Sequence, residues 1–219
     1  MKKNICIIDY GVGNLLSIER SIQKLGYTAK VSNNKKTILD SSHLILPGVG
    51  AFGKAMETIR ELNLDETLKE YVKKGRFIMG ICLGMQLLCS ESEEFEINKG
   101  LNLIPGKIIS LKDIINKKNI KIPNIGWSNL LRKNIEIKNQ FYDDINEKDT
   151  FYFIHSFVAK TDENWQFPMP LPRFLKIVAK QLLGLGVVET FKVMSGKSVA
   201  KDKPASSSAY TLSRLSFYI

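Results

Sequence analysis

The apolar positions of the first hundred residues alternate between two spacings. Ile5 to Ile8 is a short unbroken apolar run stopped by Asp9-Tyr10-Gly11, the pattern of a strand buried on both faces. Over residues 14–26, Leu15, Ile18, Ile22 and Leu25 recur at steps of three and four. Asn14 is placed to cap the start and Gly26 the end, so a helix is expected there. Tyr27 to Val31 and Ser42 to Leu46 return to short β-like runs, the second closed by Pro47-Gly48-Val49-Gly50. One long helical stretch is expected to follow, to about Lys74, with Met56, Ile59, Leu62, Leu68 and Val72 facing inward. Arg76 to Ile81 reads as a fourth strand and Leu83 to about Ser90 as a helix. Strands alternating with helices predict an α/β domain with a mainly parallel sheet and helices on both faces.

From about residue 100 the pattern changes. Short β-like pieces at 107–111, 121–125 and 151–158 are separated by Asn- and Lys-rich loops, with no repeat and no long linker. A sharper change comes at residue 166. Residues 1–165 hold 15 Asn and 23 Ile, whereas residues 166–219 hold no Asn and 2 Ile. At the body's frequency roughly five Asn would be expected in so long a segment, so the compositional break is real. It divides the chain into a domain over 1–165 and an atypical C-terminal segment over 166–219. That segment reads either as a variable extension or, the reading favoured here, as the product of a frame shift near residue 165. Only its residues 174–194 are apolar enough to form an element against a sheet, and the segment is expected to pack poorly.

Charge narrows the functional classes. The formal net charge is +10, but residues 1–165 carry only +4 of it and the last 54 residues +6. No arginine-rich cluster interleaves with aromatic residues, so a nucleic-acid groove is not expected. Three cysteines (Cys6, Cys82, Cys89) cannot build a disulfide framework and suit a reducing compartment. With only two histidines, no metal site is expected, and nothing in the chain calls for a cofactor. No apolar run approaches the roughly 20 residues that span a bilayer, and the apolar start is cut short by Asp9. A cytoplasmic protein without a membrane partner is the expectation.

The most specific chemistry lies in Gly80-Ile81-Cys82-Leu83-Gly84-Met85-Gln86. A strand, a nucleophile flanked by glycines two residues away on each side, and then a helix make a nucleophile elbow. There Cys82 would sit at a helix N-terminus, which favours thiolate, and the Leu83 amide would face a reacting carbonyl as an oxyanion donor. The competing reading is a buried cysteine in a tight crossover. Cys89, seven residues on, is expected two turns down the same helix as core packing, and Cys6 as core within the first strand. Pro47-Gly48-Val49-Gly50 follows a neighbouring strand and would open beside Cys82, since ligands bind at the carboxyl ends of parallel strands. A cysteine nucleophile also needs a base. His43 lies at the opposite strand end, and His155, in Phe151-Tyr152-Phe153-Ile154-His155-Ser156-Phe157, is the remaining histidine that could approach the site.

These motifs are shared with a known family. DYGVGNL (9–15), LPGVGAF (46–52), GICLGMQLL (80–88), PNIGW (123–127) and YFIHSF (152–157) resemble, in order, the glutaminase subunits of imidazole glycerol phosphate synthase, which are class I glutamine amidotransferases. The motifs do not separate the histidine pathway from paralogues that supply ammonia in surface-sugar pathways. The resemblance implies a flavodoxin-like sheet and a mechanism. Cys82 would attack the side-chain amide of glutamine to form a γ-glutamyl thioester. The Gly50 and Leu83 amides would hold the oxyanion. Gln86 and the backbone at Ser156 and Phe157 would bind the amino-acid end of the substrate. Ammonia would pass to a (β/α)₈-barrel cyclase partner, making a heterodimer that carries out both hydrolase and lyase chemistry in histidine biosynthesis.

The resemblance runs to about Trp165. The family's base and its orienting carboxylate come from a Phe-His-Pro-Glu motif near the C-terminus, and this sequence contains no such motif. His155 matches a different family histidine, so it is expected to point away from Cys82. The loss of the motif implies a glutaminase by descent that is impaired, or a subunit that binds a cyclase without turning glutamine over. Reading the other two frames of the gene downstream of codon 165 checks the frame-shift reading. A Phe-His-Pro-Glu peptide in one of them is the expected result, and its absence from both supports a true extension.

Overall fold

A computed structural model of the chain describes residues 4–114, 121–129 and 150–161. Its centre is a four-stranded parallel sheet of β1 (Asn4–Ile8), β2 (Thr28–Ser32), β3 (His43–Leu46) and β4 (Phe77–Gly80), in the order β2-β1-β3-β4. The order reverses direction at β1, because β2 lies on one side of it and β3 on the other. That leaves a crevice beyond the carboxyl ends of β1 and β3, where doubly wound sheets bind ligands.

The two faces of the sheet are covered separately, and strand alternation decides which side chain goes where. Ile5 and Ile7 of β1, with Ile45, Met79 and Ile81, pack on Ile18 and Ile22 of helix α1 (Leu15–Lys24). Cys6 and Ile8, with Leu44, Leu46 and Ile78, pack on the other face against α2 (Lys35–Asp40), α3 (Phe52–Glu61) and α4 (Leu64–Lys73). The expected mainly parallel α/β fold is therefore present. The Asn14 side chain caps α1 by accepting from the Ser17 N–H at 3.3 Å, and Gly26 follows the helix with φ +82°.

Three local expectations need correction. The connection between β2 and β3 holds a helix, α2, that the pattern did not reveal. It is only six residues long with one buried residue, Ile38, too short for a 3.6-residue period to register. The single long helix expected to Lys74 is two, broken where Asn63 adopts a left-handed backbone (φ 53°, ψ 29°). Leu62 falls at this break and is 42% exposed, whereas Met56, Ile59, Leu68 and Val72 are buried as expected. Finally, the helix after Cys82, α5 (Leu83–Leu87), stops early, and Cys89 begins a strand, β5 (Cys89–Ser92). Cys89 is core, as expected, but on a strand.

That strand belongs to a second sheet. With β6 (Asn98–Lys99), β7 (Ile104–Ser110) and β10 (Phe157–Thr161) it forms the order β10-β7-β5-β6, parallel only between β5 and β7. A short helix, α6 (Leu111–Ile114), follows β7, and β8 (Asn124–Asn129) pairs antiparallel with β9 (Thr150–His155). Leu87, Leu88, Cys89, Ile104, Ile108 and Ala159 join the same core as α3 and α4, so the second sheet closes the end of the first domain layer. The division at residue 165 and the 174–194 element lie outside the described residues.

The break at Asn63 generates a paired prediction. Ile59→Ala empties a fully buried position and should cost about 2–5 kcal/mol, whereas Leu62→Ala should change stability by less than about 0.5 kcal/mol. Urea denaturation of the two variants checks it. Equal losses would mean that Leu62 is an inner position after all.

Candidate active site

β4 ends at Gly80, and the chain turns through Ile81 and Cys82 into α5. Cys82 itself takes φ 56° and ψ −122°, a conformation that non-glycine residues rarely adopt. Such strain costs about 1–3 kcal/mol and persists only where the surroundings enforce it. Here they do. The Ile81 N–H donates to Leu46 O at 2.9 Å, tying the elbow to the end of β3. A Cβ on Gly84 would lie 1.9 Å from Leu46 O, and one on Gly80 would lie 2.4 Å from the Met85 Cα. Both glycines of the motif are thus demanded by backbone approach. Cys82 stands at the strand–helix junction expected from the sequence.

The loop after β3 is pressed against this elbow. A Cβ on Gly48 would sit 2.5 Å from the Gly84 N and 3.0 Å from the Leu83 carbonyl carbon. Gly50 follows with φ +90° and an exposed backbone, ahead of α3. The first N–H of that helix, on Phe52, donates to the Glu94 carboxylate at 2.7 Å, while Ala51 supplies no side-chain cap. Glu94, from the loop after β5, therefore pins the far end of the 47–51 loop. Its partner is 42 residues away in sequence, so no local signal marks it.

On the near end stands Tyr10, just beyond β1. Its hydroxyl donates to Pro47 O at 2.7 Å, and the side chain is 2% exposed. Burial, reinforced by the nearby Cys82, pushes its ionisation far up, so it stays a donor. The sequence placed Tyr10 only as part of the turn that ends the first strand; the turn motif was the signal available.

The electrostatics of Cys82 differ from the expectation. Burial pushes the thiol above its ordinary value, and the Leu83 N–H hydrogen bond opposes this only in part. α5 is five residues long, and one turn of aligned peptides offsets little of a burial penalty. Among the described residues no imidazole or carboxylate hydrogen-bonds Cys82. His155 is engaged elsewhere. Its Nδ1 lies 3.1 Å from Phe157 O and its Nε2 3.0 Å from the Asn124 Nδ2. Because a carbonyl only accepts and an amide nitrogen only donates, these partners assign the proton to Nδ1 and leave the ring neutral. Burial pushes its pKa down, in the same direction. His43 is at the amino end of β3, stacked on Phe77 at 5.1 Å.

The remaining candidate residues fall in two places. Gln86 is one turn beyond Cys82 on α5, partly exposed, its N–H on Cys82 O at 3.3 Å. Ser156 and Phe157 form the junction of β9 and β10. Ser156 O accepts from the Leu111 N–H at 2.9 Å, and Phe157 packs on the core that contains Leu83 and Met85. Cys82, Leu83, Gln86 and Gly48 thus share one backbone-tight elbow. Gly50 follows two residues on with an exposed backbone, and Ser156–Phe157 belongs to the β9–β10 junction, with Phe157 packed on the large core.

Comparison with known proteins agrees with this architecture. The model of the family "Glutamine amidotransferase class-I" matches residues 6–185. Imidazole glycerol phosphate synthase subunit HisH of Sulfurimonas denitrificans is 38% identical over 159 residues, covering 73% of this chain and 75% of the relative. The protein of the same name from Chlorobium chlorochromatii is 41% identical over 158 residues, covering 72% and 75%. Among solved structures, a glutamine amidotransferase superposes with TM-score 0.52 at 15% identity, covering 72% of this chain and 75% of that one. PurLQS from Thermotoga maritima also gives 0.52, at 18% identity, covering 75% and 72%. These two show the fold.

The raised Cys82 thiol gives a pH prediction. The rate of alkylation by iodoacetamide follows the thiolate fraction, which rises tenfold per pH unit below the pKa. With the pKa above the ordinary thiol value, the rate should still be climbing at pH 9 and should show no plateau below it. A plateau near pH 7, measured by mass spectrometry of the Cys82 peptide, would reveal a cationic neighbour that lowers the pKa.

Proposed function

The chain belongs to the class-I glutamine amidotransferases, and on that premise we propose that it is the glutaminase subunit of an imidazole glycerol phosphate synthase, in histidine biosynthesis. The observation that carries the reading is the strained Cys82 elbow locked against the Gly48–Gly50 loop, in a chain 36–41% identical to relatives of that name. In this reading the Cys82 thiolate attacks the side-chain amide carbon of glutamine. The carbonyl oxygen becomes an oxyanion held by the Gly50 and Leu83 N–H groups, the latter moving from the sulfur to the oxygen. As the leaving nitrogen takes a proton from solvent, collapse breaks the C–N bond, expels ammonia and leaves the γ-glutamyl thioester, which water hydrolyses to glutamate and the free thiol. Gln86 and the Ser156–Phe157 backbone hold the amino-acid end. The ammonia passes to a cyclase subunit, a (β/α)₈ barrel, that forms the heterodimer. Soluble cytoplasmic operation follows from this role. Among the described residues no helix is long and apolar enough to cross a membrane.

A second reading is favoured by one observation: the sequence has no Phe-His-Pro-Glu motif, and no described imidazole reaches Cys82. Without a general base the thiol, already raised by burial, ionises little. Without a general acid, ammonia departs unassisted. General acid–base catalysis contributes about 10²–10⁴-fold, and glutamate release should fall short of an intact relative by about that factor, with or without the cyclase. Covalent labelling of Cys82 by a glutamine-like chloroketone should survive better, because it needs the thiolate and the pocket but no later proton transfer. Steady-state glutamate release and labelling, with Cys82→Ala as control, check both. Turnover at the rate of an intact relative, abolished by Cys82→Ala, would show that another group in this chain supplies the base.

A further inference from the structure

Tyr10 contributes more to the site than a filled core position requires. Phenylalanine would occupy the same volume, yet this residue carries a hydroxyl into a buried contact 2.7 Å from Pro47 O. The direction of approach is set locally. Asp9 Oδ1 accepts from the Gly11 N–H at 3.1 Å, and Gly11 takes φ +84°, closing the turn that sends the Tyr10 ring toward β3. The hydroxyl then lies 2.8 Å from where a Gly48 Cβ would be, with the Gly84 N at 2.5 Å and the Leu83 carbonyl carbon at 3.0 Å from the same point. Gly48 is therefore confined between the phenol and the Leu83–Gly84 peptide. With Pro47 and Gly48 fixed, Val49 is the one residue left between the anchored segment and Gly50.

We propose that Tyr10 is a positioning residue of the glutaminase site, its hydroxyl setting the separation of the Gly50 and Leu83 amides that receive the oxyanion. The proposal rests on the function assigned above, since it presumes those two donors. An oxyanion hole works only when its donors are already at hydrogen-bond distance from the position the oxygen will take. Loss of the hydroxyl leaves Pro47 O buried without its donor and frees the 47–50 segment to drift from the elbow. The Tyr10 hydroxyl bonds Pro47 O and not the Cys82 sulfur, whose hydrogen-bond donor is the Leu83 N–H. The effect is thus expected in reactions that build a tetrahedral oxyanion and not in simple displacement at sulfur.

Two reagents separate these cases. Iodoacetamide alkylates a thiolate by displacement of iodide, with no oxyanion. A chloroketone analogue of glutamine is attacked at its carbonyl, generating an oxyanion, before or as chloride leaves. In the full chain, Tyr10→Phe should react with iodoacetamide at the wild-type rate and with the chloroketone roughly tenfold or more slowly. Tyr10→Phe keeping the full wild-type preference for the chloroketone would overturn the role of Tyr10 alone. A parallel fall in both rates would assign the residue to general packing and also overturn it. A wild-type chain with no preference for the glutamine-like reagent would remove the glutamine site itself and the proposal with it. Gly48→Ala is the second variant. It keeps the hydroxyl but forces the loop from the Leu83–Gly84 peptide, and the same selective loss is expected. Retained selectivity in a folded Gly48→Ala protein would count against the proposal should Tyr10→Phe not fold.

Discussion

β3 and β4 leave their sheet so close together that no side chain fits between the segments that follow them. The Ile81 N–H reaches Leu46 O, and Gly84 stands where any Cβ would overlap that same carbonyl. This backbone-on-backbone contact is what holds Cys82 in its unfavourable conformation. It also lays Gly48 alongside the Leu83–Gly84 peptide. Relaxing it would return the cysteine to an ordinary backbone geometry and part the 47–50 loop from the elbow. The glycines at 80 and 84 are therefore one constraint expressed at two positions.

Around that contact the molecule adds polar anchors at both ends of the loop. Tyr10 holds the Pro47 carbonyl from the end of β1, and the Glu94 carboxylate holds the Phe52 amide from the loop after β5. The first anchor comes from the parallel sheet and the second from the mixed sheet, so the loop is fixed only when both sheets are in place. The shared core of Leu87, Leu88, Cys89, Ile104 and Ile108 is what joins them.

The site's electrostatics are less favourable to catalysis than its geometry. Burial raises the Cys82 thiol, the short α5 offsets little, and the His155 ring is committed to Asn124 and Phe157 O. The backbone around Cys82 is tightly held, while ionisation of its thiol lacks a partner among the described residues. That division separates covalent labelling, which needs only the thiolate, from turnover, which needs proton transfer as well.

Much of this was legible in the chain itself, for physical reasons that are local. Ile5–Ile8, the period of Leu15, Ile18 and Ile22, and the Gly-x-Cys-x-Gly spacing each encode their own conformation through steric or burial rules acting over a few residues. They determined the parallel sheet, α1 and the elbow. Short or broken elements were not legible. α2 has a single buried residue, and the helix break at Asn63 depends on one residue's left-handed backbone. Cys89 lies in a strand because β7 pairs with it, a contact between residues far apart in sequence. Only the tertiary structure decided the Glu94 cap, the Tyr10–Pro47 bond and the raised Cys82 thiol. Each arises from groups brought together across the fold, and burial is a property of the whole packed molecule that no run of residues carries alone.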